Sequence, residues 1–138
     1  MSNRRPVVLF WLYVGILCLI ALLAYLRRIP GLITAIPYYD LAGHFILMGA
    51  AAYLGHRAFG KPAVLLFGWR VPLVPSIVTL VVGLEEILQA LSPNRTSSLS
   101  DFAADLSGIL LACLLSVRAD AGRAALRRAW ARVVRAFR

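Results

Sequence analysis

Charge is what this chain lacks. Only 15% of its 138 residues are charged and 61% are hydrophobic, whereas soluble domains carry about 25% charged residues. That balance excludes an ordinary water-soluble globular domain. Acidic residues are scarcest, six against fifteen Lys and Arg, for a formal net charge of +9. Such a charge invites a nucleic-acid reading. The arginines, however, fall between and after the apolar runs rather than on one soluble basic face, which excludes nucleic acid as the partner. The two cysteines, Cys18 and Cys113, lie in separate apolar runs and read as packing residues rather than a disulfide or a metal pair. No internal repeat is present, and no serine, cysteine or metal motif is diagnostic of a reaction.

What the chain does have is long apolar runs. Val7 to Leu26 contains no charged residue, and about 20 apolar residues cross the hydrocarbon core. Three more runs follow, at about Leu41–Phe59, Val71–Ala90 and Phe102–Val117. The stretch from Pro62 to Gly68 is too short to span and is expected at the interface, with Trp69 as its aromatic anchor. The first run exceeds the 7–15 apolar residues usual in a signal peptide, and no small-x-small cleavage site follows it, so it reads as a retained helix. The expected fold is all-α: a four-helix transmembrane bundle over residues 1–118, then a basic tail over 119–138. In the tail, Leu126, Trp130, Val133 and Phe137 recur at helical spacing among arginines. That pattern predicts an amphipathic interfacial helix lying on anionic lipid.

Four spans put both termini on one side. Twelve of the fifteen basic residues then fall on that side, leaving Arg27, Arg28 and Arg95 on the other. The positive-inside rule places both termini in the cytoplasm.

Five of the six acids lie in or beside the apolar runs, in three places: Asp40, with His44 four residues on; Glu85 and Glu86, with Gln89 after them; and Asp101 with Asp105. A carboxylate costs roughly 2.5–3.5 kcal/mol at the centre of a membrane helix. In the topology above all five lie within about two turns of the outer surface, where helices two, three and four can gather them into one extracytoplasmic pocket. Blander readings stand beside this one. Asp40 suits the positive end of its helix, and Ser98 to Asp101 fits a capping box. Asp105, one turn deeper, is poorly explained by capping. Glu86 sits near a helix C-terminus, where the dipole disfavours an anion. Arg95 is the nearest counter-charge, and a purely structural Glu86–Arg95–Asp101 network is an alternative. Tyr38 and Tyr39 read as an interfacial belt, and the apolar loop Ile29–Pro37 as a roof for the pocket.

The series Asp40-x3-His44, Glu86-x2-Gln89-x5-Arg95, Ser98, Asp101-x3-Asp105-x2-Gly108 resembles the VanZ-like family of bacterial membrane proteins. The match covers roughly Tyr39 to Ala112. Leu41 stands where the family often has lysine, Asp105 where it often has asparagine, and Ala112 where a glycine is common. The first two changes make this pocket more anionic. The resemblance implies a four-helix protein of the bacterial inner membrane in an envelope context; the family's namesake is linked to reduced susceptibility to teicoplanin.

Three functions fit these residues. In the first, the outer pocket binds a polar part of a membrane lipid, a lipid-linked cell-wall precursor or a lipophilic glycopeptide. Gln89, Arg95, Ser98, Asp101 and Asp105 would contact the ligand. In the second, the chain is an integral-membrane enzyme with Glu86, His44 and Asp40 as catalytic groups. They would act either through a divalent cation or as a metal-free acid/base set. The third, a proton-coupled carrier, is disfavoured because no acid lies in the inner half of any span.

Overall fold

The computed structural model describes residues 4–92 and 98–136. Its element order is α1 (Arg5–Tyr25), α2 (Gly31–Thr34), α3 (Tyr39–Ala58), β1 (Ala63–Leu66), β2 (Trp69–Pro72), α4 (Leu73–Ala90) and α5 (Leu99–Ala136). Pro6 stands in the first turn of α1, where its missing N–H costs nothing. The helix closes before Arg27, whose φ is +53°. Tyr38, left-handed at φ +57°, precedes α3. Pro72 and Pro75 flank and enter the first turn of α4, again where proline is tolerated.

Three of these helices are long and apolar enough to cross a membrane: α1, α4 and the portion of α5 from Leu99 to Trp130. Their large side chains, Leu9, Leu12, Leu80, Ile87 and Leu110 among them, are exposed. Outward apolar faces of this kind fit lipid rather than water. α3 is also 20 residues long. It is more polar than the apolar stretches of the other three, carrying Asp40, His44, His56 and Arg57, and the four-helix expectation therefore meets three qualifying helices rather than four.

The chain is not all-α. Ala63–Leu66 and Trp69–Pro72 pair as an antiparallel hairpin, with Leu66 opposite Trp69. Residues 62–68, expected at the interface, form one arm and the turn of that hairpin. Phe67 and Gly68 have φ of +49° and +81°. Positive φ at both central residues gives the turn whose twist suits a two-residue hairpin. The hairpin takes Val71 and Pro72 as strand residues, which is why α4 begins at Leu73 rather than Val71.

α3 is the hub. It packs most extensively on α5, and also on α1 and α4, while α4 packs on α5. Small residues permit this. Gly49 and Gly108 face one another closely enough that a Cβ on Gly49 would lie 2.9 Å from the Gly108 carbonyl oxygen, and one on Gly108 would strike the Phe45 carbonyl. Ala52, Val82, Ile109 and Ala112 form the buried core beside this contact. Tyr13 Oη donates to the Leu47 carbonyl at 2.8 Å, tying α1 to α3. α5 runs unbroken from Leu99 to Ala136, so the basic tail continues the last apolar run as one helix with no break at residue 118.

Candidate functional site

The polar residues at the start of α3 and the start of α5 meet because these two helices are closely packed and run parallel, with His44 beside Asp105 at one end and Lys61 beside Asp120 at the other. His44 and Asp40 are one turn apart on α3, and Asp101 and Asp105 one turn apart on α5. Both pairs therefore share a helix face. His44 Nδ1 lies 3.0 Å from Asp105 Oδ2, a good hydrogen-bond length. On its other side, Nε2 lies 3.9 Å from Asp40 Oδ1. With Nδ1 donating to the Asp105 carboxylate, Nε2 is the nitrogen that faces Asp40. A donor atom from each of Asp40, His44 and Asp101 falls within 4.8 Å of the others.

These groups differ in exposure. Asp105 is 1% exposed and Asp101 7%. The side chain of Asp40 is 46% exposed. Asp105 Oδ1 is buried without a hydrogen-bond partner. No Lys or Arg makes an ion pair with Asp40, Asp101 or Asp105 among the described residues. His44 is the one basic group that touches them there.

Beside the cluster is a cavity of about 300 Å³. One wall is the C-terminal half of α1, from Leu17 to Tyr25. The roof is Ile29, Pro30 and Ile33, and the opposite wall is Tyr39, Gly43 and Leu47 of α3. The lining is largely apolar, and its ionisable side chains besides Tyr25 and Tyr39 are Asp40, His44 and Glu85. The segment expected to roof a pocket contributes to this one.

The expected site residues divide into three groups. Asp40, His44, Asp101 and Asp105 come together. Glu86 does not join the His44 cluster or the cavity lining. Its Oε2 accepts a hydrogen bond from the backbone N–H of Ser98 at 3.1 Å, so the carboxylate caps the start of α5 from the end of α4. Ser98 Oγ lies 2.6 Å from Ser100 Oγ. Gln89 is fully buried, and its Nε2 donates to Glu85 Oε1 at 3.1 Å. Arg95 lies outside the described residues, as does the proposed Glu86–Arg95–Asp101 network.

Glu85 is the residue that sequence reasoning passed over. It lines the cavity, held there by Gln89. The i, i+4 spacing of Glu85 and Gln89 was the available signal, since it stacks them on one face. Cys18 and Cys113 are both free. At the other end of the bundle, Lys61 pairs with Asp120, and the Arg57 guanidinium lies 5.6 Å over the Tyr53 ring.

No family model matches the chain, and neither the curated proteins nor the solved structures contain a match to it.

Proposed function

We propose that the chain is a VanZ-like protein of the bacterial cytoplasmic membrane whose cavity admits an amphiphile from the outer leaflet. The observation that carries this reading is the composition of the cavity: an apolar space of about 300 Å³ with Asp40, His44 and Glu85 on its wall. A lipid tail segment suits the α1 side. A polar head suits the acid and histidine side, where carboxylates accept hydroxyl or amine hydrogens. The ligand class is an envelope lipid, a lipid-linked cell-wall precursor or a lipophilic glycopeptide.

In this reading α3 is the fourth span. Twenty residues make a helix of about 30 Å, the thickness of the hydrocarbon core. Its polar residues lie against α5 and the cavity, and α1, α4 and α5 surround it, so it needs less hydropathy than a lipid-facing helix. The twelve-to-three distribution of basic residues supports an orientation with the termini in the cytoplasm and the site end outside.

Gly43 offers the test. It lines the cavity, and a Cβ built on it meets nothing within 4 Å. Gly43→Trp fills the space without striking backbone. A photoactivatable diacyl or polyprenyl phospholipid in vesicles should label the purified wild-type chain on α1 between Leu17 and Tyr25. Labelling should fall about tenfold or more in the variant, which corresponds to a loss of at least about 1.4 kcal/mol. Equal labelling of the two proteins would remove the lipid reading.

One observation favours a second reading, an integral-membrane hydrolase or transferase acting on a lipid-linked substrate. The Asp105–His44 hydrogen bond orients an imidazole for proton transfer through Nε2, and that nitrogen belongs to a residue of the cavity wall.

A further inference from the structure

We propose that Asp40, His44 and Asp101 form a site for one divalent transition-metal ion, with Asp105 as the positioning residue that holds His44 in the metal-binding tautomer. The donor set is one imidazole nitrogen and two carboxylates from two helices, with the donor atoms within 4.8 Å of one another. Zinc takes nitrogen and oxygen ligands at about 2.0–2.2 Å, so two donors on one ion stand at most about 4 Å apart. His44 Nε2 and Asp40 Oδ1 are already 3.9 Å apart. The remaining closure is between this pair and Asp101 of α5, within the 4.8 Å that separates the three donors.

Asp105 supplies an independent observation. A histidine that binds metal usually donates its other N–H to a carboxylate, which fixes the tautomer and raises the basicity of the ligating nitrogen. Asp105 Oδ2 stands 3.0 Å from His44 Nδ1, on the side of the ring away from Asp40. The same carboxylate is 1% exposed, and its Oδ1 is buried at the cluster with no hydrogen-bond partner. A buried anion left half-satisfied is costly. Three carboxylates surround one imidazole here, and among the described residues no Lys or Arg pairs with them. A divalent ion held by Asp40 and Asp101 supplies positive charge to these carboxylates.

Zinc with three protein ligands keeps a position open. Asp40 and His44 both line the cavity, so the ion lies at its wall, and the open position takes water or an anionic phosphate-type oxygen. A bound cation thereby inverts the charge preference of an otherwise acidic pocket. This preference for a phosphate rests on the lipid reading; the metal site itself does not, and it is tested without lipid ligand.

The full chain, purified in detergent and stripped with chelator, is titrated with Zn²⁺ by calorimetry and with Co²⁺ by visible absorption. One ion should bind per chain. Asp40→Ala and His44→Gln should each weaken binding tenfold or more. Asp105→Asn should keep one site, weaken it about 10–100-fold and shift the Co²⁺ d–d bands, a change that a merely structural residue would not produce. His56→Gln, at the far end of α3, should bind as wild type. Should His44→Gln fail to fold, Asp40→Ala decides, because Asp40 is half-exposed and makes no tertiary hydrogen bond among those described. Absence of a saturable site, or binding that Asp40→Ala leaves unchanged or His56→Gln abolishes, overturns the proposal.

Discussion

At the level of single residues, neighbouring carboxylates on one helix have taken different work. Glu85 and Glu86 are adjacent and chemically alike, yet Glu85 lines a cavity and Glu86 caps a helix. Each residue step turns the side chain by about 100° around the axis, so the two must face different neighbours. Which one faces the cavity depends on how α4 is rotated against α3 and α5, and no spacing within α4 reveals that. The sequence argument favoured Glu86 because the dipole disfavours an acid at a helix C-terminus. Its compensation is the Ser98 N–H just before the next helix, at the end that carries the opposite partial charge. Glu86→Gln keeps an acceptor for the Ser98 N–H and should cost no more than about 0.5–1 kcal/mol, whereas Glu86→Ala removes the cap and should cost about 1–2 kcal/mol. Both should retain lipid labelling in the cavity. Thermal unfolding in detergent measures the first pair of values. A fully folded Glu86→Gln that no longer takes up the lipid probe would return Glu86 to the site.

At the level of elements, the helices of the site were legible and their packing was not. The apolar runs located α1, α3, α4 and the start of α5 to within a few residues, because a run of about 20 apolar residues has few alternatives. The i, i+4 spacing of Asp40 with His44, and of Asp101 with Asp105, already gave each pair a common face. That the two faces meet depends on the close approach at Gly49 and Gly108, a pairing between helices that small residues permit but do not specify. The hairpin was missed because seven apolar residues carry no period that separates a strand from an interfacial segment. Gly68 was its one local mark. The separation of the tail from the last span was likewise a reading of composition. Arginine content changes near residue 118, but nothing there breaks a helix, and α5 continues to Ala136. The glycine contact gives a direct prediction. Gly108→Ala places a methyl against the Phe45 carbonyl, and backbone cannot yield as a flexible side chain can. Overpacking of this kind should cost about 1–3 kcal/mol. It should also loosen the His44–Asp105 pair, so that any Co²⁺ spectrum of the site broadens or disappears. Gly122→Ala, whose new Cβ meets nothing within 4 Å, should instead be neutral or stabilise by about 0.5–1 kcal/mol through helix propensity. Equal melting of the two variants would show that α3 and α5 are less closely packed than described.

At the level of the whole molecule, the length of α5 constrains how the chain sits in a membrane. Thirty-eight residues make a helix of about 57 Å, whereas the hydrocarbon core is about 30 Å thick. Nearly half of α5 must therefore lie beyond that core. The site end is the apolar end, and the arginines begin at Arg118, so the projecting half is the basic C-terminal one. Lys61 pairs with Asp120 close to that exit point, which places the turn after α3 at the same level. Arg57 and His56 end α3 there, and Arg4 and Arg5 start α1 on the same side. Most of the basic residues thus gather at one end of the bundle, while Asp40, Asp101 and Asp105 gather at the other, the end at which Arg27 and Arg28 follow α1. Under the positive-inside rule this polarity predicts an orientation, with the basic end in the cytoplasm and the acidic site outside. Single cysteines in a Cys18→Ala, Cys113→Ala background test it with a membrane-impermeant thiol reagent. Leu99→Cys, at the highly exposed start of α5, should react in intact cells. Gly122→Cys, beyond the exit point, should react only after the membrane is opened. The reverse pattern would turn the site toward the cytoplasm. A ligand would then have to come from the inner leaflet, while the cavity, the His44–Asp105 pair and the capping role of Glu86 would stand as they are.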